Sequence, residues 1–137
     1  MADLLECVIQ IKALAHTRDR LLQVLAALVP GSAEARSAAP LIQELVAAER
    51  RYAEALRPGT AACVAPTDGP AAISQFGALR TATLETLAAC SGDQLAAAVT
   101  WPGRPRTTVA DLVAVMLAHD TDVIGEVRGL TLGPPRR

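Results

Sequence analysis

Apolar residues recur at alternating spacings of four and three from the start of the chain. Leu4, Val8, Ile11, Ala15, Leu22, Leu25 and Val29 make one stripe, interrupted by charge only at Arg18, and Leu14, Leu21 and Leu28 widen it. The pattern predicts a core-facing helix over 3–29, stopped by Pro30-Gly31. A second stripe of Leu41, Leu45, Ala48, Tyr52 and Ala55 predicts a helix over 40–56, with Pro40 in its first turn. Glu49, Arg50, Arg51 and Glu54 are then expected mainly on the opposite, solvated face. An Ala/Pro/Gly/Thr-rich stretch from Arg57 to Pro70 reads as a long connection.

Ile73, Phe76, Leu79, Ala82, Leu84 and Leu87 predict a third helix over 72–89, ended by Ser91-Gly92. A short helical turn at Asp93-Gln94-Leu95 follows. Prolines 102 and 105 then exclude helix and predict an extended arm around Trp101. Thr107 or Thr108 should cap the last helix, with Asp111 in its first turn, where the helix dipole favours an anion. Val109, Leu112, Val113, Met116, Leu117, Val123, Ile124 and Val127 give its apolar face, Gly129 its end, and 130–137 a tail. No segment alternates as a strand does. Four amphipathic helices predict a single all-α domain over 1–137, a four-helix bundle.

Composition narrows the function classes. The chain has 137 residues, 51% hydrophobic and 20% charged, with a formal net charge of −1. No basic surplus exists to neutralise phosphates, and Tyr52, Phe76 and Trp101 are the only aromatic residues, so no nucleic-acid partner is expected. Charges interrupt every apolar stretch well before the ~20 residues of a membrane span. Asp3 and Glu6 lie where an export signal would be basic, which makes the expected location cytoplasmic, with no membrane partner. Cys7, Cys63 and Cys90 are widely spaced without a CxxC pair and read as small hydrophobes in a reducing compartment. A reactive thiol at Cys63, in the long connection, is the alternative.

Two histidines are candidates for chemistry. His119 follows Leu112 and Met116 and precedes Val123 at spacings of four, three and four, and is expected to face the interior. There it serves either as a hydrogen-bonded core residue or as a ligand. His16 lies one position past the predicted seam and reads as a boundary or surface residue.

The run LIQELVAAERRYAEAL, the Trp101-Pro-Gly arm and TTVADLVAVMLAHDTDVIGEVRGL resemble the DinB/YfiT-like superfamily, in the same order and over nearly the whole chain. The resemblance implies a helical bundle, often dimeric, in which several members are metal-dependent thiol S-transferases or isomerases. It also implies a metal site built from one His of the second helix and an HxxxH pair of the fourth. The corresponding positions here are Glu44, His119 and Val123. A carboxylate can replace an imidazole at such a metal, but Val123 has no donor atom.

The resulting expectation is a DinB-like homodimer with a degenerate metal site, no cofactor and no remaining metal chemistry. Glu44 and His119 are expected to persist as a buried polar pair or as a general acid/base pair. Two rival readings stand beside it. One is a thiol transferase using zinc or nickel with an altered ligand set, drawing on Asp122 or Glu126. The other is a metal-free module binding a thiol or another small molecule in the interior.

Overall fold

The computed structural model describes residues 4–59, 69–104 and 106–132. It contains four long helices, α1 (Leu4–Ala26), α2 (Ala33–Leu56), α3 (Gly69–Ala88) and α5 (Val109–Leu132), and the single-turn α4 (Gly92–Leu95). Among the described residues the only β pairing is an isolated antiparallel bridge between Ala98 and Thr108. The expectations for Asp3, Cys63, Pro105, residues 133–137 and most of the second connection lie outside the described residues.

Several boundaries differ from the sequence expectation. α2 begins seven residues earlier than Pro40, because Ser32 caps it by accepting the Ala35 amide at 3.1 Å. Pro40 therefore lies inside the helix, where the favourable run AEARSAA outweighs one lost backbone hydrogen bond. α3 opens at Gly69 rather than at Ala72. α5 passes through Gly129 to Leu132, so the tail does not begin at 130. Its start is a reciprocal cap: the Asp111 amide donates to Thr108 Oγ1 at 3.1 Å, and the Thr108 amide to Asp111 Oδ2 at 3.0 Å.

In section, α1 packs against α5 and α3, and α2 packs against α3 and α5. α1 is therefore diagonal to α2, and α3 to α5. The core divides into two apolar halves. One joins Cys7 and Leu14 with Tyr52, Leu84, Leu87, Leu112 and Met116. The other joins Leu21 and Leu25 with Ile42, Leu45, Phe76, Val123 and Val127. The first half takes the early turns of α1 and α5 and the late turns of α2 and α3. α1 thus runs parallel to α5, and α2 parallel to α3. Parallel neighbours need a crossover, and the 12-residue connection between α2 and α3 supplies it.

The seam of α1 is shifted from the expected one. Cys7, Leu14, Leu21, Leu25 and Leu28 are buried, while Leu4, Val8 and Val29 are exposed and Leu22 is only half-buried. The buried set recurs every seven residues, the narrow seam of a coiled-coil-like contact, so the widening residues are in fact its centre.

Candidate functional site

A charged layer separates the two apolar halves. Arg80 of α3 is fully buried and reaches Glu49 of α2 and Asp120 of α5, themselves fully buried. Its Nη2 donates to Glu49 Oε1 at 2.6 Å and to Asp120 Oδ1 at 2.8 Å; Nη1 donates to Asp120 Oδ2 at 2.7 Å, and Nε to Glu49 Oε1 at 3.0 Å. Thr17 of α1 donates its hydroxyl to Asp120 Oδ2 at 2.5 Å. Every long helix supplies one member of the layer. The Phe76 ring lies 5.2 Å from the Arg80 guanidinium carbon, a cation–π contact on the apolar side.

The electrostatics of this layer are those of charges removed from water. Burial alone would lower the Arg80 pKa, but the hydrogen bonds and charges of Asp120 and Glu49 push it up, so it stays a cation. Burial raises the Glu49 carboxyl above its ordinary value even against the attraction of Arg80. Two carboxylates face one guanidinium, and Glu49 Oε2 has no hydrogen-bond partner among the described residues. Beside the layer, Tyr52 has its hydroxyl pushed up to about 12 by burial and by the charges of Glu49 and Asp120.

The sequence reading missed this layer. It set Glu49 on the solvated face of α2 and did not single out Arg80 or Asp120. The signal was present as spacing: Glu49 lies four residues after Leu45, Arg80 four after Phe76, and Asp120 four after Met116. An isolated charge on an apolar stripe reads as an interruption until its partners on other helices are known.

Glu44 and His119 do approach each other. His119 Nε2 lies 4.0 Å from Glu44 Oε1, across the contact between α5 and α2. The pair is not buried as expected: the Glu44 side chain is 65% exposed and that of His119 23%. The inward position on this turn of α5 belongs to Asp120, and His119 sits at the edge with its Nδ1 buried and without a partner among the described residues. Val123 is buried in the second apolar half. His16 is exposed. No group of three or more His, Cys, Asp or Glu side chains that could hold a metal ion occurs among the described residues, and no described helix is long and apolar enough to cross a membrane.

A hollow lies elsewhere, at the end of the bundle where α2 and α3 finish and α5 begins. This groove of about 900 Å³ is walled by Ala55, Thr86, Ala89 and Trp101, with Arg51 and Glu54 among its polar residues.

The fold is thus an all-helical bundle of four long helices. The DinB superfamily model matches residues 13–125, and the chain belongs to that superfamily. No curated protein and no solved structure matches it.

Proposed function

We propose that this protein is a DinB-superfamily bundle that has given up metal-dependent catalysis and carries an internal ion network at its centre. The observation that carries the reading is Val123. It occupies one of the three positions the resemblance assigns to metal ligands, its side chain is packed into the core, and it has no donor atom. Glu44 and His119 alone provide two donors, one fewer than the three protein ligands a catalytic zinc site uses. The residues present therefore do not fit such a metal.

The test is metal analysis of protein purified without a histidine tag, with the His119→Ala variant alongside. The expected result is no stoichiometric transition metal in either preparation. Stoichiometric zinc or nickel in the wild type, lost in His119→Ala, would overturn the reading. It would favour instead a thiol transferase with an altered ligand set, a rival that the 4.0 Å approach of His119 to Glu44 supports.

A further inference from the structure

The groove at the bundle end is built rather than incidental. Trp101, Pro102, Gly103 and Arg104 form a tight turn in which the Arg104 amide donates to Trp101 O at 3.2 Å and Gly103 has φ 77°. Proline at the second place and a glycine of positive φ at the third are what a type II turn requires. The two ends of this connection are tied by Val99 N–H to Thr107 O at 2.9 Å and Val109 N–H to Ala97 O at 3.0 Å. Tyr52 stacks on Trp101 with ring centroids 5.5 Å apart and an interplanar angle of 17°. These contacts hold a half-buried indole at the groove wall in one orientation.

Ala55, Ala89 and Thr86, which also line the groove, have side chains too short to fill the space. A hollow of about 900 Å³ falls within the size of small-molecule sites, which pair a mostly apolar lining with a few polar groups. Two charged side chains line it, and they are not equivalent. Glu54 is turned to the end of its own helix, where Oε1 accepts the Gly59 amide at 2.9 Å. Arg51 makes no ion pair or hydrogen bond with the described residues, so its guanidinium is available to a ligand.

We propose that this groove binds a small aromatic carboxylic acid, its ring against Trp101 and the alanine wall, its carboxylate on Arg51. A planar ring matches the fixed indole by offset stacking, and the planar guanidinium matches a carboxylate through paired hydrogen bonds. The proposal is independent of the metal question, since none of Glu44, His119 and Val123 lines the groove.

Trp101 is the only tryptophan in the chain, so its indole N–H gives a single NMR signal at the site. Titration with 2-naphthoate, the neutral 2-naphthylmethanol and the cationic 2-naphthylmethylamine should move that signal saturably, with the carboxylate binding about tenfold or more tighter than the alcohol. Arg51→Gln should erase that preference while leaving alcohol binding and the thermal melt unchanged, because Arg51 is exposed and makes no ion pair or hydrogen bond among the described residues. Ala89→Phe, which fills the wall, should abolish binding of all three. Absence of a saturable shift at millimolar probe, equal binding of acid and alcohol, or tightest binding of the amine would each overturn the proposal.

Discussion

Arg80 and Asp120 face each other across the diagonal of the bundle in a two-pronged ion pair, Nη1 to Oδ2 at 2.7 Å and Nη2 to Oδ1 at 2.8 Å, with both side chains fully buried. α3 and α5 are not neighbours in section, so this pair bridges the centre rather than an edge. Glu49 completes the layer from α2 and Thr17 from α1. A layer of this kind fits only one register of the helices: sliding α2, α3 or α5 by a turn would bury an unpaired charge in one of the apolar halves, and sliding α1 would take the Thr17 hydroxyl from Asp120. Burying three charges is costly, so its value lies more in selecting the register than in raising stability.

Removing the cation alone should therefore be severe. Arg80→Met leaves Asp120 and Glu49 buried without a counter-charge, and urea denaturation should register a loss of about 3–5 kcal/mol. The triple change Glu49→Leu, Arg80→Met, Asp120→Leu removes the charges together. It should recover most of that loss, at the expense of a single well-defined register. A triple variant no more stable than Arg80→Met would show that the layer contributes net stability itself.

Glu49 gives the layer a pH dependence whose sign follows from its raised pKa. Burial is the main cause and outweighs the attraction of Arg80, so the folded chain holds the Glu49 proton more tightly than the unfolded chain does. Its contribution to stability is then complete below the ordinary value of 4.5 and declines as pH rises through the folded value. Glu49→Gln keeps an oxygen acceptor for Arg80 and cannot ionise. Thermal melts of the two proteins from pH 4.5 to 8 should show the variant gaining on wild type as pH rises. A gap that widens in favour of wild type would mean that Arg80 lowers the Glu49 pKa instead.

The number and order of the long helices were legible because each carries an apolar repeat close to 3.6 residues, broken by Pro30-Gly31, by the Pro/Gly stretch after Arg57 and by Ser91-Gly92. Boundaries were less legible where one residue carried two meanings. Pro40 looks like a helix start but is an interior residue behind the Ser32 cap, and Gly129 looks like a stop but is passed. The candidate site was legible only in part. The meeting of Glu44 with His119 was legible only through the resemblance to the superfamily's ligand positions, whereas the choice between His119 and Asp120 as the inward residue turns on one step of 100° around the helix. That step depends on which partner lies across the bundle, and Arg80 decides it for Asp120.

The phase of α1 offers a direct comparison between neighbours. Leu21 is fully buried in the second apolar half, and Leu22 is half-buried against it, beside Gly77 of α3. Leu21→Ala should cost about 2–5 kcal/mol in denaturant unfolding, and Leu22→Ala clearly less. Leu45→Ala, also fully buried, should resemble Leu21→Ala. Equal losses at 21 and 22 would place the seam of α1 one residue further on, through Leu22, Leu25 and Val29.

A metal site should be restorable if Glu44, His119 and Val123 occupy the ligand positions. Residues 119 and 123 are one helical turn apart on α5, and His119 Nε2 already lies 4.0 Å from Glu44 Oε1 on α2. Val123→His with Glu44→His would bring three imidazoles to one face of the α2–α5 contact, a set that binds zinc or nickel with a position left open. The new ring at 123 replaces a buried valine, so the apo double variant should melt below wild type. Added zinc should then raise its melting temperature by linkage, corresponding to about 2.7 kcal/mol at a hundredfold excess over the dissociation constant, with no comparable shift in wild type. Adding His119→Ala to the double variant separates a designed site from adventitious binding, because the zinc-induced shift should vanish with that ring. A shift that survives the loss of His119, or a double variant that folds and binds no metal, would show that these three positions do not converge on a common ligand point.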